Sequence, residues 1–278
     1  MDSMVAHAEY LRSPQAEIDD NARLVEGFKY LEPTLIENWP QALRNMSFPS
    51  RSIILSRVDI LALGSNMFEL AEYFIERYGV SYRMPISGIV QKIDVLTKDW
   101  ADGFVVKLGG RTPKDTMAWY KSNGRARNSK EAMRFLLDCS ERMMEDCLLF
   151  LAVDKAPRIW LREWMYIPPW AEFRCMLFNK QLKAISQYEY QKFFPELLKY
   201  RKSIEDAIVE FSQGFATASH IDDVVFDVYC FLVGDKWHVR LIELNPATTL
   251  TDPCLLSYSD IKEWRPSLLI VEKPPAAI

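Results

Sequence analysis

Two predicted β-hairpins in the C-terminal half place the strongest constraint on the fold. Residues 224–244 are rich in β-branched and aromatic side chains and are interrupted by Gly-Asp-Lys at residues 234–236. Residues 172–187 repeat this pattern around Asn-Lys-Gln at residues 179–181. Short turns between such runs are typical of antiparallel hairpins. Because helical periods lie between the strands, the pattern favours an α+β architecture over a doubly wound parallel sheet.

The rest of the chain alternates predicted strands and helices. Gly79 and Gly214 mark two helix ends. The other predicted elements are strands at residues 53–55, 104–108 and 158–164, a helix from a Ser65 cap to residue 75, a helix starting at Thr112 and Pro113, a helix from a Ser129 cap to residue 144, and a long helix over residues 194–211. The first fifty residues show no sustained hydrophobic period.

Composition and charge exclude several classes of function. The chain of 278 residues is 49% hydrophobic and 26% charged, which is typical of a folded protein. Its net charge is −4 and no continuous basic run stands out, so nucleic acid is disfavoured as the main ligand. Neither a secretory signal nor an apolar stretch of membrane-spanning length is visible, so we expect a cytoplasmic protein without membrane contact.

The supply of histidine and cysteine limits the possible catalytic chemistry. The three histidines are scattered along the chain, and the five cysteines include no Cys-x-x-Cys pair. A histidine-based metal centre, a Ser-His-Asp triad and a thiolate zinc site are therefore disfavoured. Any chemistry has to depend on carboxylates, amines and guanidinium groups.

The last predicted hairpin brings two acidic residues together. If residues 234–236 form a three-residue loop, Asp227 lies opposite Glu243, where like charges are destabilising. The two-residue period of a strand places Asn245 on the same face. A hard divalent cation with oxygen ligands compensates both carboxylates, and Mg²⁺ commonly completes its shell with phosphate oxygens. We therefore predict a magnesium site made of Asp227, Glu243 and Asn245, with a nucleotide as its companion.

Two alternatives to this magnesium site remain open. Asp227 can pair with an arginine while Glu243 lies at an exposed end of the sheet. A two-residue turn would place Glu243 opposite Val228 and remove the pairing of the two acids.

Three basic residues are candidates for phosphate binding, and each has a plain structural alternative. Lys107 ends a strand just before a Gly-Gly pair, where an ammonium and a bare backbone can both approach phosphate, but a lysine there is usually a solvated surface residue. Lys114 offers a second contact, although its motif also reads as a helix start. Arg174 suits bidentate phosphate recognition, and it shares a strand face with Glu172, with which it can form an intrastrand ion pair.

A set of short motifs, taken in order, resembles those of a known family. They are Phe-Val-Val-Lys-Leu at 104–108 with Thr-Pro-Lys-Asp at 112–115, Leu-Arg-Glu-Trp at 161–164, Glu-Phe-Arg-Cys at 172–175, Ala-Ile-Ser-Gln at 184–187, Phe-Asp-Val-Tyr at 226–229, Leu-Ile-Glu-Leu-Asn-Pro at 241–246 and Thr-Asp-Pro at 251–253. The ordered set resembles the cell division cycle protein 123 family, which belongs to the ATP-grasp superfamily.

The resemblance implies a fold, a domain division and two cofactors. The implied fold is α+β and ATP-grasp-like, with two lobes, antiparallel sheets and a nucleotide cleft between the lobes. Residues 1–98 would form a divergent N-terminal region with a small α/β part, and residues 99–278 an ATP-grasp nucleotide-binding core. The implied cofactors are ATP and Mg²⁺.

The resemblance also implies roles for individual residues. By this resemblance Lys107 would contact ATP phosphates, Arg162, Glu163 and Trp164 would line the hinge near the adenine, Arg174 would meet phosphate or substrate, and Asp227, Glu243 and Asn245 would hold magnesium. The chain departs from the family pattern at Tyr188, where an Arg is usual, and at Glu243, where an Asp is usual.

Two functions of different classes fit these expectations. The first is an ATP-dependent ligase that joins a small carboxylate to an amine through an acyl phosphate, with Arg174 and Lys107 as catalytic residues. The alternative is an ATP-binding assembly chaperone for eukaryotic translation initiation factor 2, in contact with its gamma subunit. A phosphotransferase that acts on a hydroxyl is a third possibility. The divergent N-terminal region and the substitutions favour the ligase.

Overall fold

The computed structural model describes residues 14–67, 71–138 and 140–274, and the chain divides into two compact units. The first unit comprises the residues up to 32 and residues 49–165, and the second comprises residues 33–48 and 166–278. The boundary expected between residues 98 and 99 concerns the architecture of the family and stays a prediction.

The described residues form α-helices, strands and short 3₁₀ helices. The α-helices are α1 (Pro14–Leu31), α2 (Gln41–Asn45), α3 (Arg57–Asn66), α4 (Ala71–Tyr78), α5 (Ser87–Thr97), α6 (Met117–Ser122), α7 (Ser129–Leu137), α8 (Glu141–Ala152) and α9 (Pro195–Ala218). The strands are β1 (Ser50–Ile54), β2 (Phe104–Leu108), β3 (Arg158–Glu163), β4 (Glu172–Phe178), β5 (Gln181–Gln187), β6 (Val224–Val233), β7 (Lys236–Pro246) and β8 (Leu268–Leu269). The 3₁₀ helices are Glu32–Thr34, Ile36–Asn38, Pro169–Ala171 and Tyr258–Glu263.

The first unit contains a three-stranded antiparallel sheet in the order β1-β3-β2. Helix α7 packs on β2, and α8 packs against α1 and α3. The strands contribute side chains such as Val106 and Leu161 to the core, and α8 contributes Phe150, all of them buried. Removing this apolar surface from water is the main stabilising contribution to the unit.

The second unit contains a five-stranded sheet in the order β7-β6-β4-β5-β8. Every pair is antiparallel except β5 with the short β8. Helix α9 covers one face, where the ring of Phe215 stacks on that of Phe226 with centroids 4.0 Å apart. The C-terminal segment covers part of the other face, where Trp264 packs against Met176 and Val225. Since side chains alternate along a strand, this second face is also the one that carries Arg174 and Asp227. The prediction of an α+β fold with antiparallel sheets is confirmed.

Two predicted helix starts in the first unit are wrong. Ser65 lies in the last turn of α3, where its hydroxyl accepts a hydrogen bond from the backbone of Met84 at 3.1 Å, and α3 is capped by Ser56 instead. Thr112 belongs to a turn, because its carbonyl accepts a bond from the Lys114 amide at 2.8 Å. Helix α6 begins at Met117, with Thr116 as its cap.

Other helix boundaries also differ from the predicted ones. The helix expected from Ser129 to residue 144 is two helices, since Asp138 leaves the helical region and Ser140 caps a new start. Gly214 lies inside α9 and does not end it. Gly79 does follow the end of α4, in the left-handed conformation that favours glycine.

No helix within the described ranges combines the length and apolar character that crossing a membrane requires.

Candidate functional site

The hairpin of β6 and β7 pairs Asp227 with Glu243, as predicted, but its turn is shorter than predicted and a bulge restores the pairing. Its turn has two residues, because Val233 pairs with Lys236. That register alone would place Glu243 opposite Phe226 and Asp227 opposite Ile242. A bulge at Ile242 inserts one extra residue into β7, which shifts the register by one and brings the two acids opposite each other.

The bulge coincides with a contact from outside the hairpin. Ser47 forms a parallel bridge with Leu241, whose amide donates to the carbonyl of Met46 at 2.8 Å. The hydroxyl of Ser47 donates to the carbonyl of Leu241 at 2.6 Å. The outer edge of β7 is therefore held by residues that precede the first sheet in the sequence.

Asp227 is neutralised by an arginine, which is the alternative left open by the sequence. Arg174 lies directly opposite it on β4. Its Nε and Nη2 atoms each donate to one oxygen of the Asp227 carboxylate at 2.8 Å, so the ion pair is bidentate. Asp227 is fully buried and Arg174 is 6% exposed. Asp227 therefore needs no metal cation to neutralise it, contrary to the prediction.

The remaining contacts of Arg174 fix its orientation. Its Nη1 atom donates to the carbonyl of Asp252 at 2.6 Å, and its guanidinium lies 5.0 Å from the ring centroid of Tyr188. Burial alone would lower the pKa of Arg174, but the charge and hydrogen bonds of Asp227 outweigh it and raise this pKa above its usual value. Arg174 thus stays charged, and its contacts hold Asp227 in place.

The other two predicted metal ligands lie beside this ion pair. The side-chain amide of Asn245 donates to Asp227 Oδ2 at 3.2 Å. Glu243 and Asn245 are both partly exposed. Within the described ranges, no group of three or more His, Cys, Asp and Glu side chains is placed to hold a metal. The predicted set has two carboxylates and one amide, and its role as a metal site stays a prediction.

Asp252 is a member of this cluster that the sequence did not single out. Its carbonyl binds Arg174, and its Oδ1 accepts from the Cys254 amide at 2.8 Å. Its Oδ2 accepts from the hydroxyl of Tyr190 at 3.1 Å. Asp252 belongs to the Thr-Asp-Pro motif of the resemblance, so a signal was present, but nothing local indicates that its backbone binds an arginine.

The other predicted nucleotide contacts lie in the first unit. Lys107 is 2% exposed on β2 and pairs with Trp160, so it is not the solvated surface lysine of the plain alternative. Gly109 follows with a positive φ, and a Cβ there would meet the ring of Phe150 at 2.5 Å. Lys114 is exposed in the turn before α6.

The residues predicted to line the adenine hinge lie at the end of β3 and directly after it. Arg162 is buried, and Glu163 is exposed at the end of the strand. Trp164 is partly exposed, with Arg125 lying 4.7 Å from its ring centroid and the ring nitrogen donating to the Asn123 carbonyl at 3.3 Å. Their roles in binding adenine stay predictions.

A second buried carboxylate, Asp146 on α8, was missed by the sequence analysis. It is fully buried, and neither of its oxygens has a hydrogen-bond partner. Arg111 Nε lies 3.4 Å from Oδ1, while another nitrogen of the same guanidinium binds Glu145. Burial raises the pKa of Asp146 to about 7, against the opposing charges of Arg111 and Arg142. No sequence pattern distinguishes this aspartate from its exposed neighbours, because its burial is set by packing.

Removing the carboxylate of Asp227 should destabilise the second unit. We expect Asp227→Ala to lower the free energy of unfolding by about 3–5 kcal/mol, because Arg174 is left buried without its partner. The double variant Arg174→Met/Asp227→Leu should lose less, since it removes both charges. Asp235→Asn, in the exposed turn of the same hairpin, is the control. Urea unfolding measures all three, and an equal loss in the single and double variants would contradict this view of the pair.

Asp146 should make stability depend on pH near neutrality. Its pKa is raised in the folded state, so between about pH 4 and about pH 7 the folded chain holds a proton that the unfolded chain has released, and stability falls as pH rises through this window. We expect Asp146→Asn to be more stable than the wild type near pH 8 by a few kcal/mol, with little difference near pH 4. Glu141→Gln, exposed on the same helix, should leave the pH dependence unchanged. Thermal unfolding across this pH range measures the effect. If the idea is wrong, the stability of the wild type and that of Asp146→Asn will depend on pH in the same way.

Comparison with known proteins connects this chain to a family. The family model described as D123 matches residues 82–274. The translation initiation factor eIF2 assembly protein of Schizosaccharomyces pombe is 28% identical over 206 residues, which are 66% of this chain and 61% of that protein. The protein of the same name from Xenopus tropicalis is 34% identical over 103 residues, 37% of this chain and 30% of that protein. The chain thus spans less than two thirds of the length of these relatives.

A solved structure supports the fold. The structure of Cdc123 from Schizosaccharomyces pombe superposes with a TM-score of 0.69 at 21% identity, covering 88% of this chain and 98% of that one.

The relatives also correct the preferred functional reading. Their printed name denotes the assembly of a translation factor, so the prediction of an ATP-dependent carboxylate-amine ligase is wrong, and the findings favour the alternative. The catalytic roles assigned to Arg174 and Lys107, and the small carboxylate and amine substrates, depended on that reading. Since the family model covers more than half of its length, the chain belongs to the D123 family, the cell division cycle protein 123 family that its motifs resemble.

Proposed function

We propose that this chain acts in the assembly of translation initiation factor eIF2 and that it binds a magnesium nucleotide. Family membership carries the proposal, because relatives from two organisms share the name eIF2 assembly protein. The gamma subunit of eIF2 is the proposed contact, and the cytoplasm the proposed location.

The donor set of the second unit fits a magnesium nucleotide. Glu243 and Asn245 offer oxygen atoms next to Asp227, and Mg²⁺ typically takes only one or two carboxylates, with phosphate and water in the other positions. Asp227 has little remaining capacity, because its oxygens accept from both Arg174 and Asn245. Glu243 would therefore be the main charged ligand, with Asn245 beside it and Asp227 in a supporting position.

The protein side of this chemistry is binding and orientation. A bound magnesium ion would neutralise phosphate charge. Glu243 would hold the ion, and the Arg174–Asp227 pair would keep the neighbouring strands in register. In the first unit, Lys107 and Lys114 are the proposed phosphate contacts, and residues 162–164 are the proposed adenine contacts. An assembly factor needs no group transfer by these residues.

Neutralising Glu243 should weaken nucleotide binding without unfolding the protein. We expect Glu243→Gln to lower the affinity for Mg-ATP by about tenfold or more, equivalent to about 1.4 kcal/mol, because the charged ligand is lost. Its melting temperature should remain close to that of the wild type, since Glu243 is only partly buried. Isothermal titration calorimetry with ATP, in the presence and absence of magnesium, measures the effect.

Asp235→Asn is the matched control, because it removes one negative charge from the exposed turn of the same hairpin. It should bind Mg-ATP like the wild type. Equal affinities in Glu243→Gln and the wild type would reject Glu243 as a ligand, and loss of binding in the control would point to net charge instead.

The assembly role is tested by direct binding to eIF2 subunits. Size-exclusion chromatography of the full chain with each purified subunit should yield a complex with the gamma subunit. The same experiment with added Mg-ATP asks whether nucleotide changes the affinity. If no subunit forms a complex, with or without Mg-ATP, the assembly role is refuted, whereas the calorimetric result on Mg-ATP stands independently.

A further inference from the structure

One stretch of the first unit carries a marked excess of positive charge. Residues 107–134 contain eight Lys and Arg and two Asp and Glu, a net charge of +6, although the whole chain carries −4. Lys107 is buried on β2, and the other cations are spaced along turns and helices and do not form a continuous run. This stretch runs from the end of β2 through α6 into α7.

Helices α6 and α7 turn several of these cations outward. Lys121 on α6 is exposed, as are Lys130 and Arg134, which are four residues apart on α7. Residues four apart lie on the same side of a helix, so the two cations of α7 form one stripe.

Two large apolar side chains are exposed on α6 beside Lys121. Met117 is 62% exposed and Tyr120 is 81% exposed. They are three residues apart and so share one side of the helix. Tyr, Met and Arg are enriched at protein interfaces, and tyrosine is enriched among the residues that dominate affinity.

The buried sides of the two helices hold this surface in place. The ring of Trp119 on α6 packs edge-on against Phe135 on α7, with centroids 5.8 Å apart. Ala118, Met133 and Leu136 are buried beneath. The outward residues are therefore presented on neighbouring helices that are anchored in the core of the first unit, and a partner would meet a preformed surface.

We propose that this surface, formed by Met117, Tyr120, Lys121, Lys130 and Arg134 and called here the α6–α7 surface, binds an acidic protein segment that also carries apolar side chains. The cations would pair with carboxylates of the segment. Tyr120 and Met117 would cover its apolar side chains. A surface that presents both kinds of contact fits a partner with both kinds of side chain.

A protein segment fits this surface better than nucleic acid does. Asp115 and Glu131 lie within the same stretch, and Glu131 is 3.9 Å from Arg127, so negative charge interrupts the basic area. A phosphate backbone carries regularly spaced charges and favours an uninterrupted basic track. Discrete carboxylates of a protein segment can pair with the spaced cations and avoid the acidic residues.

The test uses two synthetic peptides, one made of glutamate and leucine and one of glutamate alone, with binding to the full chain followed by fluorescence anisotropy. We expect the glutamate-leucine peptide to bind more tightly. The triple variant Lys121→Gln/Lys130→Gln/Arg134→Gln should weaken its binding by about tenfold or more at low salt, with a smaller effect at high salt because salt screens exposed charges.

The matched control removes the same number of charges from exposed lysines of the second unit. Lys199→Gln/Lys236→Gln/Lys262→Gln should bind the peptide like the wild type. An equal loss in both triple variants would show that net charge, not this surface, drives binding, and would overturn the proposal. Circular dichroism checks that all variants are folded, and Mg-ATP titration checks that the proposed nucleotide function is unaffected.

Tyr120→Ala tests the apolar part separately. It should weaken binding of the glutamate-leucine peptide severalfold and leave the all-glutamate peptide unchanged. Three results would overturn the proposal: no binding of either peptide to the wild type, no effect of Tyr120→Ala on the mixed peptide, or tighter binding of a single-stranded RNA of the same length.

Discussion

The buried ion pair between Arg174 and Asp227 is the interaction on which the second unit depends. Two charges can be removed from water only if each is well paired, and here both carboxylate oxygens and the guanidinium are engaged. The pair joins β4 to β6 at directly opposed positions, so it also specifies their register. A slip of β6 by one residue would turn Asp227 toward α9, onto the face where Phe215 and Phe226 stack.

This pair changes the electrostatic basis of the proposed nucleotide site. Two uncompensated carboxylates would make a cation necessary for folding. With Arg174 present, the three opposed residues Arg174, Asp227 and Glu243 carry a net charge of −1. The sheet therefore does not require a metal ion to fold. At the proposed site, a magnesium nucleotide would then bind and leave without unfolding the sheet. Glu243 is partly exposed and would be the charged ligand of the proposed metal ion.

The strands were predictable from the sequence because alternation and turn residues are local signals, and both C-terminal hairpins lie where these signals placed them. The pairing of Asp227 with Glu243 was predicted from a three-residue loop, yet the chain uses a two-residue turn and a bulge. The bulge accompanies two hydrogen bonds of Leu241, whose amide donates to Met46 and whose carbonyl accepts from Ser47, and both partners lie almost two hundred residues away in sequence. No local pattern encodes such a contact. The wrong helix caps have a related cause, since Ser65 is bound by the distant amide of Met84.

Two buried aspartates show why residue type and spacing predict candidate sites better than they predict chemistry. Asp227 accepts hydrogen bonds from three nitrogen atoms of Arg174 and Asn245, whereas the oxygens of Asp146 accept none, and Arg111 Nε lies 3.4 Å from Oδ1. The same carboxyl group is therefore a paired anion in one unit and, with a pKa of about 7, a proton-binding group in the other. This difference comes from donors on other strands and loops. It follows that a carboxylate can be assigned a role only when its donors are known, and the packing of the chain determines which donors reach it.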